Sequence, residues 1–202
     1  MDLVEEVVPL RDGELTVLRP RDSEALLDEE AFEDEELMPY WAELWPSGVA
    51  LARAVTSMSL GGRRVLELGC GGLALPSIVA AQAGARVLAT DWAADALELA
   101  RSNAERNGAT IEVARAAWGE PGALVERAPW DLVLAADVLY ERRNLDVIVP
   151  LLDRLGDEIW LADPGRPPLE DFLARVEPGW TVRATTDPVT PTVTVHRLRR
   201  RK

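Results

Sequence analysis

Cysteine, histidine and lysine are nearly missing from this chain. Its 202 residues hold one cysteine, one histidine and one lysine, the last being Lys202. A lone Cys70 excludes an intramolecular disulfide and any cysteine metal cluster. It suits a reduced, cytoplasmic setting. A lone His196 leaves no second histidine for a metal site, and its place in a late alternating stretch reads as packing or surface. No glycine-x-serine-x-glycine elbow is present, so a serine-hydrolase reading has no support. No apolar run reaches the roughly 18 residues of a membrane span. The opening "MDLVEEVVPL" has no basic n-region, so no secretory signal is expected. Positive charge is also scarce. Lys and Arg number 22 against 35 Asp and Glu, a net charge of −13. General binding to a nucleic-acid backbone needs many cationic contacts and is not expected.

What is present is unevenly spread. Residues 22 to 36 hold nine acids and no base, and the chain closes on "RLRRRK". Both read as solvated surface, and the acidic segment can also steer a basic substrate. "LVEEVVPL" and "ELTVLRP" flank "RDG" and predict a β-hairpin. Ser23 to Leu37 reads as an acidic helix. The aromatic "PYWAELWPSG" follows, and then "VALARAVTSM" as a helix. From Arg63 onward strands and helices alternate. "RRVLELG", "ARVLATD", "TIEVAR", "WDLVLAAD" and "EIWLAD" are strands. Leu73 to Gln82, Ala93 to Asn107, Leu145 to Leu155 and Leu169 to Val176 are helices. "WTVRAT" and "TVTVHRL" form a closing antiparallel pair. Such alternation predicts an α/β fold with a doubly wound, mostly parallel sheet. The early strands are almost wholly apolar, as strands buried on both faces must be. Ligands in such sheets bind beyond the carboxyl ends of the strands.

The residues at those ends carry the chemistry. "ELGCGG" follows the first strand of the alternating series, and Gly69, Gly71 and Ala74 fit the loose dinucleotide fingerprint. Glu67 does not suit a phosphate. Two like charges about 4 Å apart near a protein surface repel by up to about 4 kcal/mol. A cationic ligand reverses that sign. S-adenosylmethionine carries a sulfonium and an ammonium and no phosphate, so Glu67, Gly69, Cys70 and Gly71 point to it as cofactor. Asp91 lies 24 residues beyond Glu67, near the spacing at which an acid bonds ribose hydroxyls. Trp92 beside it can stack on adenine or cover the core. Ala117 and Trp118, in "AAWGEP", sit where an adenine edge would lie, or the tryptophan caps the sheet. Ala136 and Asp137 end the fourth strand and Tyr140 follows. Asp137 reads as a polar group at the catalytic edge or as a helix N-cap. In "ADPGRP", Asp163 and Arg166 belong to a stiff turn that lines a substrate mouth or is merely structural.

With these residues in place, the chain resembles the class I, seven-β-strand, Rossmann-like methyltransferases that use S-adenosylmethionine. Within them it is similar to the family 16 group of protein lysine methyltransferases. The motifs "ELGCGG", "ATDW", "AAWG" and "ADVLY" occur in that group's order. "PYWAELWPSGVALA" and "ADPGRP" are similar to the lysine methyltransferases of the electron-transfer flavoprotein β subunit. The resemblance runs from about Pro39 to the end of the chain. It implies a methyltransferase core over residues 49–202, preceded by an extension over 1–48. It implies that Trp45 and Ser47 help cover the cofactor. Asp137 and Tyr140 occupy the group's acid-x-x-aromatic positions and take the catalytic roles. Ala117 departs from the group, where many relatives carry an acid.

The reaction so implied is attack by an uncharged lysine amine on the cofactor methyl. Deprotonating lysine at pH 7 costs roughly 4.6 kcal/mol from its reference pKa near 10.4. Near-attack geometry can supply about 7 to 11 kcal/mol. Asp137 would capture and orient the lysine, and Tyr140 would aim its lone pair. The expected partner is a lysine-bearing protein, either the flavoprotein β subunit or a ribosomal protein. A small-molecule N-methyltransferase shares the same cofactor site. A nicotinamide-dependent oxidoreductase is disfavoured by Glu67 and by the lack of an obvious catalytic histidine or lysine. A cofactor-holding module without catalysis is disfavoured by the retention of Asp137 with Tyr140.

Overall fold

The computed structural model describes residues 1–26 and 39–202. The expected acidic helix over Ser23–Leu37 lies mostly outside them. Only a single 3-10 turn, Glu24–Leu26, is described there.

The N-terminal hairpin pairs β1 (Leu3–Pro9) with β2 (Glu14–Pro20). The Leu10 N–H closes its turn on the Gly13 carbonyl at 2.9 Å. Alternation buries Val8, Leu15 and Val17 on one face. The remaining strands form one seven-stranded sheet. They are β3 (Arg64–Leu68), β4 (Arg86–Asp91), β5 (Glu112–Arg115), β6 (Leu132–Ala136), β7 (Glu158–Asp163), β8 (Trp180–Thr186) and β9 (Thr194–Arg200). Their spatial order is β5-β4-β3-β6-β7-β9-β8. The first five in that order run parallel, and β9 runs antiparallel to both its neighbours. The chain leaves β3 towards β4 and β5, then returns to β6 on the other side. That reversal opens a crevice at the carboxyl ends of β3 and β6.

Among the described residues, six α-helices flank the sheet: α1 (Pro46–Thr56), α2 (Leu75–Gln82), α3 (Ala94–Arg106), α4 (Gly122–Glu126), α5 (Asn144–Leu155) and α6 (Leu169–Val176). Two buried clusters result, one on each face. Val65 joins Leu51 and Ile78 on the face covered by α1 and α2. Leu66 and Leu68 join Leu152 and Phe172 on the face covered by α5 and α6. The two-residue alternation of β3 therefore sends Glu67 to the α2 side, with Val65.

Several boundaries differ from the sequence expectation. α1 starts at Pro46 rather than Val49, because a proline in the first helical turn lacks only an N–H that would be unpaired anyway. α2 starts at Leu75 rather than Leu73, because Ala74 takes a left-handed conformation with φ 45°. α4 has five residues and no periodic pattern to reveal it. Asp137 caps no helix, since α5 begins only at Asn144.

Candidate active site

A cavity of about 310 Å3 lies at the crevice between β3 and β6. The glycine turn forms its floor. Gly69 and Gly71 have φ of 64° and 59°, a region that costs other residues about 1–2 kcal/mol. Space for a side chain is tight as well. A Cβ on Gly69 would lie 3.1 Å from the Trp118 indole, and one on Gly71 would lie 3.1 Å from the Trp41 carbonyl oxygen.

The two acids of this half are held by backbone groups. The Ser77 N–H, in the first turn of α2, donates to Glu67 Oε2 at 2.9 Å, and the Ser77 hydroxyl donates to the same oxygen. Glu67 is 1% exposed. Burial pushes its carboxyl up to about 8, against the Ser77 bonds and with some help from Asp91. Glu67 thus anchors the N-terminus of α2 while still lining the cavity. The sequence reading foresaw the cavity position but not the anchor. Asp91 accepts from the Gly71 N–H at 2.9 Å through Oδ2 and from the Ala93 N–H at 3.0 Å through Oδ1. Its carboxyl is also raised by burial, opposed by those amides. Cys70 lines the floor, and burial raises its thiol further from reactivity, with Asp91 adding to the effect. That suits packing and not nucleophilic attack.

The aromatic segment forms the roof. The Gly72 N–H donates to the Trp41 carbonyl at 2.7 Å, which ties the segment to the glycine turn. The Trp45 indole N–H donates to the Tyr40 carbonyl at 2.8 Å. Tyr40 packs edge-on to Trp45 and tilts against Tyr140, with ring centroids 6.1 and 5.9 Å away. Trp118 in turn lies 6.4 Å from Tyr140.

The β6 and β7 ends form the far wall. Asp137 is 8% exposed and has φ 59°. The two non-glycine residues with positive φ among the described residues are Ala74 and Asp137, and both line the cavity. Strain of this kind concentrates where function holds it in place. The Arg166 Nε–H donates to Asp137 Oδ1, and its guanidinium lies 5.6 Å from the Trp45 ring centre. Asp163 sets this arrangement. Its Oδ1 accepts the N–H groups of Gly165 and Arg166, each at 2.7 Å.

The cavity wall brings together Trp45, Glu67, Gly69, Cys70, Gly71, Asp91, Trp92, Trp118, Ala136, Asp137, Tyr140 and Arg166. Three expected residues lie elsewhere. Ala117 lines an adjoining cavity beside Trp92 and Trp118. Asp163 is fully buried behind Arg166, so it orients the mouth and does not line it. Ser47 is fully buried within α1 and is absent from the wall. His196 is buried on β9 opposite Leu161, with neither ring nitrogen hydrogen-bonded, and burial lowers its pKa. It is a packing residue. Sequence reasoning missed Tyr40, Trp41, Glu43 and Glu141, which also line the cavity. The aromatic pair Tyr40 and Trp41, close before Trp45, was the signal for two of them.

The donor set selects the ligand's charge. Of the acids on the wall, Asp137 is paired with Arg166 and Glu141 with Arg143, which leaves Glu43, Glu67 and Asp91, and among the described residues Arg166 is the one basic residue lining the wall. A phosphate-rich dinucleotide fits this poorly. A cationic, phosphate-free ligand fits it well.

Comparison with known proteins agrees with this geometry. The family model described as "Lysine methyltransferase" matches residues 29–159. The electron transfer flavoprotein beta subunit lysine methyltransferase of Xenopus laevis is 36% identical over 135 residues, covering 63% of this chain and 53% of that protein. The histone-arginine methyltransferase METTL23 of the same organism is 34% identical, covering 54% and 49%. The chain thus spans about half the length of these relatives. Among solved structures, a 16S rRNA N2 methyltransferase of T. thermophilus in complex with AdoMet and guanosine superposes with a TM-score of 0.68 at 15% identity, covering 98% of this chain and 51% of that one. A methyltransferase from Pyrococcus furiosus gives 0.59 at 22% identity, covering 77% and 85%. The structures establish the Rossmann-like methyltransferase fold, and by its family match the chain belongs to the lysine methyltransferase family.

Proposed function

We propose that this chain is an S-adenosylmethionine-dependent methyltransferase acting on the side-chain amine of lysine in a protein. The electron-transfer flavoprotein β subunit is the first candidate acceptor, and a cytoplasmic setting suits the single free thiol. The observation that carries the reading is the placement of Asp137 and Tyr140 on one cavity with the glycine turn. The named activities of the lysine-methylating relatives support the amine acceptor, whereas that of the histone-arginine relative gives a guanidine one.

When bound, the cofactor supplies an electrophilic methyl group on a sulfonium. Glu67 and the amides around Gly69 and Gly71 would face its amino-acid end. Asp91 would meet the ribose, and Trp92 and Trp118 the adenine. Asp137 accepts a hydrogen bond from the acceptor nitrogen and turns its lone pair inward. Tyr140, 37% exposed, narrows the entrance with Tyr40 and excludes water. Held in this way, the reacting pair gains the entropic advantage of near-attack geometry, about 7 to 11 kcal/mol at best.

The test uses methyl-labelled S-adenosylmethionine and a host-cell extract lacking this protein. We expect a discrete labelled band that maps to lysine and disappears with Asp137→Asn. Label confined to small molecules would replace the protein acceptor with a metabolite. Lys202 offers the only lysine side chain for self-labelling, so that control is simple.

A further inference from the structure

Asp137 poses an electrostatic problem. A carboxylate beside an amine stabilises the ammonium, and an ammonium has no lone pair with which to attack. In the structure that carboxylate already has a cation. Arg166 reaches across from the β7 turn and donates Nε–H to Asp137 Oδ1. The contact is built into the fold. β6 and β7 are paired neighbours, with Ala136 beside Ala162, so the two turns emerge side by side. Asp163, fully buried, fixes the Gly165–Arg166 backbone from below. Trp45 lies against the guanidinium from the roof.

We propose that Arg166, by pairing with Asp137, makes the acceptor subsite selective for an uncharged amine, and so acts as a positioning residue for the reaction. The inference rests on the lysine reading above. The pair keeps Asp137 as a hydrogen-bond acceptor while cancelling its charge. The amine leaves its proton with water before entering, so the subsite does not hold the starting ammonium. As the carbon–sulfur bond breaks and the carbon–nitrogen bond forms, the sulfonium's positive charge passes to the nitrogen. The methylammonium product gives up its proton to water on leaving. A guanidinium acceptor, which stays charged, is rejected on the same ground.

The surrounding groups agree. Asp137, Tyr140 and Glu141 face the subsite from the turn after β6, and Arg166 faces it from the turn after β7 with Asp163 behind. Tyr40 and Glu43 face it from the roof. Glu141 is itself ion-paired with Arg143. Glu43 accepts the Ser23 hydroxyl. Towards the floor, Cys70 is a buried thiol, and Glu67 and Asp91 are bonded to backbone amides. Both acids of the β6 turn are therefore matched by an arginine of this chain.

The test measures binding of two probes, n-butylamine and n-butylguanidine, by NMR saturation transfer to the whole protein with S-adenosylhomocysteine present. In the wild type, n-butylamine affinity should rise about tenfold per pH unit from pH 7 to 9, following the neutral fraction of an amine with pKa near 10.4. The guanidine probe should not bind. Arg166→Gln should bind both probes at pH 7, with n-butylamine affinity changing less than about twofold to pH 9 because the ammonium now pairs with Asp137. Arg166→Met should match it, which removes any bond peculiar to glutamine. A flat wild-type n-butylamine series, or wild-type binding of the guanidine probe, would overturn the proposal even if neither variant folds. Lysine labelling in extract together with a flat series would keep the proposed function and discard this inference. The expected series without lysine labelling would discard the proposed function and leave the preference for an uncharged amine standing.

Discussion

The two halves of the cavity hold their acids in opposite ways. On the β3–β4 side, Glu67 and Asp91 are bonded to main-chain amides of Ser77, Gly71 and Ala93. On the β6–β7 side, Asp137 is bonded to the side chain of Arg166, and the nearby Tyr40 and Tyr140 are 38% and 37% exposed. An acid bonded to backbone fixes the path of the chain, and its loss leaves buried N–H groups without partners. An acid bonded to a long side chain fixes a charge balance and leaves the path of the chain to other groups. The first half reads as a backbone cradle and the second as an acceptor site whose charge is set by side chains.

Removing the cradle should do the most damage. Asp91→Ala strands the amides of Gly71 and Ala93, at about 1–3 kcal/mol each. We expect affinity for S-adenosylhomocysteine to fall by more than a hundredfold in calorimetric titration, where about 1.4 kcal/mol is tenfold. A loss below tenfold would mean that the turn holds its shape without Asp91. The next largest effect should lie in the other half and leave cofactor affinity alone. Asp137→Asn keeps the size but not the charge, and we expect kcat/KM to fall about a hundredfold, the scale of a misplaced reacting group. Equal loss of cofactor affinity in this variant would erase the distinction between the halves.

The cradle was the more legible half in the sequence. Glycine spacing, an apolar strand and an acid at a fixed distance are local signals, and each marks a backbone conformation. The strand and helix order followed from alternation in the same way. What stayed hidden is what distant segments do to one another. Nothing near Glu67 announces Ser77 ten residues on, since a serine in an apolar helix start has many uses. Arg166 was placed at the mouth, but its pairing with Asp137 depends on two parallel strands meeting in register. Asp163 read as a mouth residue because it ends a strand, whereas its side chain turns back to hold its own loop.

A third contrast is one of pH. Glu67 has a carboxyl raised to about 8, so the free site is largely protonated at neutral pH. A cation bound beside it favours the ionised form, so binding S-adenosylmethionine releases a proton. Affinity should therefore rise with pH between 6 and 7.5, by at most about tenfold per unit. Glu67→Gln should flatten that slope while keeping the bonds to Ser77. A slope unchanged by the substitution would assign the proton to another group.

The smallest effects should separate the hairpin's two anchors. Asn107 accepts the Thr16 N–H at 3.0 Å and donates to the Thr16 carbonyl at 2.9 Å. Asn103, one helical turn earlier, accepts from Leu18 N–H at 2.7 Å and donates to its carbonyl at 2.9 Å. Asn103 of α3 and Asn107 at its C-cap thus stand in for a third strand along the edge of β2, which covers an edge that would otherwise be open. Asn103 does one thing more, donating to the Gly72 carbonyl at 2.9 Å. Each alanine variant should cost about 1–3 kcal/mol of stability through the stranded β2 groups. In a chain of this size that lowers Tm by about 2–4 °C per kcal/mol. Only Asn103→Ala should also weaken cofactor binding, by a few-fold, because only Asn103 reaches the glycine turn. Equal cofactor affinity in the two variants would show that the hairpin stabilises the fold without shaping the cradle. A deficit confined to Asn103→Ala would make the hairpin part of the cofactor site at one remove.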